Sequence, residues 1–188
     1  MIRRAALSLV LLASVVACSR RQPPPAPQPP PTQTTTTMTP TRTAPDTAGE
    51  GMRRLEAERA ATTREMRGVL EAMIFFDYDD SRIRADQEGA LNAKAPILRA
   101  NPSVALLVTG HADERGSGEY NLALGLRRAN AVRDFLTALG VDASRITTDT
   151  MGEDRPLDTG TTEAAYARNR RAESAVSRGG DVITRPGR

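Results

Sequence analysis

The sequence predicts an α+β domain: an α/β sandwich of order β-α-β-α-β-α-β, with helices packed on a mixed sheet, preceded by a disordered tether. Two observations carry this. Between residues 74 and 178, short apolar runs of strand type alternate with longer stretches of helical spacing. Residues 18–49 are mostly proline, threonine and glutamine, with almost nothing to bury. The chain therefore divides into 1–17, a targeting segment; 18–49, the tether; 50–73, a lead-in helix; 74–178, the folded domain; and 179–188, a flexible tail.

The first segment opens with Arg3 and Arg4, followed by a run of small and apolar residues from Ala5 to Val16. That run is too short to span a bilayer as a stable helix and fits the apolar region of a signal peptide. It ends in Val-Val-Ala-Cys at Cys18, the only cysteine in the chain, so no intrachain disulfide can form. Small residues directly before a cysteine resemble the lipobox of bacterial lipoproteins. That resemblance implies lipidation of Cys18, and Ser19 after it, in place of aspartate, implies export to the outer membrane. Two or more acyl chains anchor stably where one does not. No later segment is apolar enough to span a membrane. The net charge of +3 is spread among acids and does not form a basic patch, so nucleic acid is not expected as a partner.

The tether, locally polyproline II, reaches on the order of 90 Å at ~3.1 Å per residue. In the lead-in helix, Met66, Val69, Leu70 and Met73 recur at helical spacing, which predicts packing at its C-terminal end. Ile74-Phe75-Phe76 reads as a short strand and Asp77 to Ser81 as a polar turn. Ala85 to Arg99 has helical composition, with Pro96 as a potential break. Asn-Pro-Ser interrupts the chain, and "VALLVTG" reads as a strand buried on both faces. Gly116, Ser117 and Gly118 form a loop before a long helix from about Glu119 to Leu139, closed by Gly140. "SRITTDTM" gives a third strand. Thr161 or Thr162 caps a helix to about Asn169, and "RRAESAVS" gives a last, weakly apolar strand. Residues beyond Arg178 read as a frayed end.

One residue breaks the pattern of the long helix. At ~100° per residue, Val132, Phe135, Leu136 and Leu139 share a stripe, and stepping back by threes and fours adds Asn121, Leu124, Gly125 and Arg128. A lone buried cation costs several kcal/mol, so Arg128 must be paired or must line a cleft. Asp113, in the loop that leads into the helix, is within reach. Either the two form a structural ion pair closing the loop, or both face a zwitterion: an amino-acid end group whose ammonium suits the aspartate and whose carboxylate suits the arginine fork.

Other residues invite less. His111 is the only histidine and has too few companions for a metal site, so a hydrogen-bonded strand-end role is expected. Gly116 and Gly118 lack the lysine and spacing of a phosphate loop. Asp113 and Glu114 are adjacent and tend to point apart, unlike a glycosidase pair. Ser117 has no triad around it. Arg127 turns away from Arg128 toward solvent. No enzyme activity, cofactor or metal is expected. The chain has no tryptophan and only 3% aromatic residues, few platforms for stacking on sugar rings.

"TGHADERGSGEYNLALGLRRANAVRDFL" resembles the OmpA-like C-terminal domain family, as do "FFDYDDSRI", "MGEDRP" and "AAYARNRRAE", which follow in the family's order from Ile74 to about Val176. The lipobox and the Pro-rich tether are most similar to its lipid-anchored, peptidoglycan-associated branch. The resemblance implies non-covalent binding of peptidoglycan through the diaminopimelate of the stem peptide. Residue by residue, it places the family's aspartate on Asp113 and its arginine on Arg128. It puts the ligand-holding backbone at Phe76 and Asp77, pocket-lining positions at Ala112, Asn121 and Leu124, and the closing pair at Asn169 and Arg170. It also implies partners of the Tol system, TolB among them, and a role in envelope integrity and cell division. Thr150-Met151 departs from the aromatic the family often has there, and "AESAV" is more polar than usual for the last strand.

Overall fold

The structure, a computed structural model, describes residues 47–187. The targeting segment, Cys18 and all but the end of the tether lie outside the described residues. The elements are α1 (Thr47–Leu70), β1 (Ile74–Phe75), α2 (Ala85–Ala100), β2 (Ala105–His111), α3 (Gly118–Ala138), β3 (Ile146–Gly152), α4 (Glu163–Asn169) and β4 (Arg171–Arg178). After the lead-in helix this is the order the sequence predicts.

The four strands form one mixed sheet of order β1-β4-β2-β3. β2 pairs antiparallel with β4 and parallel with β3, while β1 adds antiparallel to the free edge of β4. Alternation along β2 decides where the core sits. Leu106 and Val108 are fully buried in one cluster with Leu91 and Leu98 of α2 and Ala129, Val132 and Leu136 of α3. Leu107 and Thr109, on the opposite face, are only half-buried, so β2 is sealed on its helix side and not on both sides as expected. β4 alternates in the same way: Ala172 and Ser174 are buried, while Glu173 and Ala175 face outward. Glu173 and Ser177 give polar character to the open face while Ser174 is buried, and the strand runs the full Arg171–Arg178.

Local chemistry sets the element ends. The Ser117 hydroxyl accepts from the Tyr120 N–H to cap α3, and Thr162 accepts from Ala165 to cap α4. Pro96 does not split α2, whose neighbouring Ala95, Ile97 and Leu98 are buried in the core. Ser144 and Arg145, expected in the third strand, instead form a 3₁₀ turn (Ala143–Arg145) opened by Asp142, whose carboxylate accepts from Ser144 N–H at 2.9 Å. The Arg145 guanidinium closes the neighbouring turn by donating to the carbonyls of Leu98, Asn101 and Val104.

α3 crosses β2 at two glycines. A Cβ on Gly110 would lie 1.8 Å from the Gly125 carbonyl oxygen, and one on Gly125 would lie 2.3 Å from Thr150 Oγ1. Backbone therefore rests on backbone. Thr150 Oγ1 pins the crossing by donating between the carbonyls of Gly110, at 3.2 Å, and Leu122, at 3.0 Å. This contact brings the first turns of α3 directly over the end of β2.

Lys94, entirely buried, donates to the carbonyls of Leu70 and Ala72 and to Ser174 Oγ at 2.8, 2.6 and 3.1 Å, fastening the end of α1 to α2 and β4. Burial pushes its pKa down to about 8. The last residues do not fray as expected. Ile183 is 1% exposed and its N–H donates to Thr63 of α1. Thr184 and Asn101 exchange backbone and side-chain hydrogen bonds, and Arg67 donates to the Gly180 carbonyl. A single isoleucine in a polar segment was too small a signal to reveal this docking.

Candidate functional site

The end of β2 and the turn after β1 meet the middle of α3 at Arg128. Its guanidinium is 0% exposed, and its partners are backbone carbonyls: Nε donates to Asp80 at 2.9 Å, Nη1 to His111 at 2.7 Å and Nη2 to Asp77 at 3.1 Å. The Phe76 ring lies beneath it, 5.4 Å from the guanidinium carbon. Burial lowers its pKa to about 10, with the Asp113 charge opposing, so it stays charged at neutral pH. Three of its five N–H groups are taken in this way.

Asp113 is 4% exposed, and its carboxylate pairs with two other arginines. Oδ1 accepts from the Arg115 backbone N–H at 3.2 Å and from its Nε at 3.1 Å. Oδ2 accepts from Arg115 Nη2 at 2.6 Å and from Arg170 Nη1 at 3.2 Å. Burial raises its pKa, but the bonds from Arg115 and Arg170 outweigh it and hold the carboxyl below its ordinary value. The direct Asp113–Arg128 ion pair, one of the two sequence readings, does not form. The two residues instead share the lining of one cleft of about 100 Å³.

The cleft also takes in Asn121 and Leu124 from the helix stripe, joined by Tyr78, Asp79, Arg115 and Tyr120. Asn121 Nδ2 is held by the Arg115 carbonyl at 3.2 Å and by Glu153. Other expected residues stand behind it or beside it. Phe76 and Arg170 form a second layer: Arg170 donates to the Phe76 carbonyl at 3.2 Å and pairs with Glu163 at 2.8 Å. Asp77 contributes its carbonyl to Arg128, whereas its carboxylate turns out to Arg84. Ala112 and Asn169 line a separate cavity of about 150 Å³. The Asn169 amide there accepts from Leu157 and Asp158 N–H groups and donates to the Asp158 carbonyl, so it braces a loop.

Arg115 is the residue that sequence reasoning missed. It is stacked between Tyr78 and Tyr166, 4.1 and 4.5 Å from the ring centroids, and bonds Glu163 at 3.1 Å as well as Asp113. A signal was present: the chain has only three tyrosines, and Tyr78, Tyr120 and Tyr166 all gather at this site. Tyr120 bonds Asp79 and Tyr166 bonds Glu114.

His111 is 2% exposed, and neither ring nitrogen has a hydrogen-bond partner, contrary to the bonded role expected for it. Burial first, and then Arg171, pushes its pKa down to about 4 and keeps it neutral. Its carbonyl, not its ring, serves the site. Ser117 is spent as a helix cap. Among the described residues no group of three or more His, Cys, Asp or Glu is placed to hold a metal.

A family model described as the OmpA family matches residues 75–170, about half of the chain. The chain belongs to the OmpA family. A peptidoglycan-associated lipoprotein of Mesorhizobium japonicum is 48% identical over 107 residues, covering 57% of this chain and 64% of that relative. One of Brucella melitensis is 45% identical with the same coverage. The chain thus spans just under two thirds of the length of these relatives. The crystal structure of the peptidoglycan-associated lipoprotein from Burkholderia pseudomallei superimposes with a TM-score of 0.54 at 38% identity, covering 55% of this chain and 87% of that one. The OmpA-family match contains every residue of the cleft and leaves out α1 and the docked tail.

Proposed function

We propose that this protein is a lipoprotein of the outer membrane that holds peptidoglycan without covalent chemistry, gripping the amino-acid end of diaminopimelate in the stem peptide. The observation that carries the reading is the placement of a buried carboxylate, Asp113, and a buried guanidinium, Arg128, in the wall of one small cleft. A guest bearing an ammonium and a carboxylate on one carbon complements that pair. The carboxylate meets the N–H groups that Arg128 has left over. The ammonium meets Asp113. Charge-assisted bonds of this kind net roughly 1.5–3 kcal/mol each, and a domain confined near a dense array of equal sites needs no more.

The names of the OmpA-family relatives support peptidoglycan as the ligand. Lipid on Cys18 would hold the other end, with the tether between. Nothing in the cleft is arranged for bond breaking, since Asp113 is engaged by two arginines and Ser117 caps a helix. The deciding experiment titrates the protein with a stem peptide containing diaminopimelate and with one containing lysine, which lacks the second carboxylate. Binding of the first and not the second, abolished by Asp113→Asn, is expected. Equal binding of both would remove Arg128 from the site. We extend the proposal to partnership with TolB and other Tol proteins in cell division; co-purification of TolB from envelopes tests that part, and its absence leaves a general wall anchor.

A further inference from the structure

We infer that Arg115 is a built-in rival for the guest: it occupies the ammonium position on Asp113 and must leave before an amino-acid end group can bind. This rests on the reading of the cleft given above. Both charges of the couple are closed under neighbouring side chains, at 4% and 0% exposure. A carboxylate has about four lone-pair positions, and all of those of Asp113 are filled, three by Arg115 and one by Arg170. An incoming ammonium therefore has to displace a donor.

The two donors differ in freedom. The Arg170 side chain is 7% exposed and locked to the Phe76 carbonyl. The Arg115 side chain is 31% exposed and lines the cleft itself. Arg115 also has somewhere to go. Glu163, already 3.1 Å from its Nη1, is a second anion, and the Tyr78 and Tyr166 rings hold its planar head on both sides through a swing. Binding becomes the exchange of one cation for another on a carboxylate that is never left bare. The exchange lowers affinity in proportion to how rarely Arg115 is off Asp113. It also sets specificity, because a guest whose nitrogen is acylated brings no charge to replace the one it evicts.

The test compares the full chain, purified in detergent, with its Arg115→Met variant, which keeps the stem between the tyrosines and removes the charge. Calorimetric titration with the diaminopimelate stem peptide is expected to show the variant binding about tenfold more tightly. The same peptide acetylated on that ammonium is expected to bind neither protein. Unchanged or weaker binding by Arg115→Met, with wild-type binding intact, overturns the rivalry and leaves the site; absence of wild-type binding overturns both. Should the variant not fold, nitrogen NMR of the wild-type arginine Nε–H groups decides. On saturation the Arg115 signal is expected to move while that of Arg128 stays; a stationary Arg115 signal refutes the exchange.

Discussion

Replacing Arg128 with alanine tests whether this residue builds the domain as well as the site. The change strips donors from three buried carbonyls, those of Asp77, Asp80 and His111. Each such bond from a charged donor nets roughly 1.5–3 kcal/mol, a gross loss of about 4–9 kcal/mol. Removing one partner of a buried charged interaction costs about 3–5 kcal/mol, and the lower part of the summed range is expected. Against a typical total of about 5–15 kcal/mol, that is a large share. Urea unfolding followed by far-ultraviolet circular dichroism reads it directly. With a slope of about 2 kcal/mol per molar, the midpoint is expected to fall by roughly 2 M with the slope unchanged. A variant within about 1 kcal/mol of the wild type would mean that the three carbonyls find other donors and that the arginine is free to serve a ligand alone. Loss of wall pull-down by Arg128→Ala mixes a damaged site with a damaged fold.

Four further outcomes follow from the same geometry. Gly110→Ala forces a Cβ to within 1.8 Å of the Gly125 carbonyl and is expected to cost at least about 3 kcal/mol in a thermal or urea melt, because backbone on both sides cannot yield. Ile183→Ala should cost about 2–4 kcal/mol by urea melt, and deletion of residues 179–188 at least as much; a frayed end would show neither loss. Lys94 has a folded pKa lowered to about 8. Between that value and its ordinary one near 10.5 the unfolded chain binds more protons, so wild type is expected to gain stability relative to Lys94→Met as pH rises from 8 to 10. Asp113 has a lowered folded pKa, so its contribution is complete above the ordinary carboxyl value near 4 and is lost as pH falls through the folded value. Peptide binding measured by titration should therefore be flat from pH 7 to 5 and decline below 4.

Helix and strand order was legible because apolar spacing reports the period of each element, and α3 was clear from its stripe and its terminal glycine. Arg128 stood out for the same reason: a cation on that stripe has to be explained. Its partners could not be read, because backbone carbonyls carry no sequence signature. Asp113 was expected either to pair with Arg128 or to face a guest beside it; the residue that reached its carboxylate is Arg115, two residues along the same loop. Charge alone does not say which of several nearby arginines a carboxylate will choose; the Tyr78 and Tyr166 rings, distant in sequence, stack on Arg115 and keep its head beside Asp113. Asn169 was assigned to the cleft by resemblance and instead ties down the loop at Leu157 and Asp158. The docking of Ile183 rests on one apolar side chain and several backbone bonds, which periodicity cannot detect.

The fastening of α1 by Lys94 and by the returning C-terminal strap bears on mechanics. Lys94, Thr63 and Arg67 clamp α1 to β4 and to the C-terminal strap. A load applied to α1 is therefore borne in part by β4 and not only by the short link from Leu70 to Ile74. Those bonds share tension in parallel, so α1 is held as a brace of the sheet and not as a loose lead.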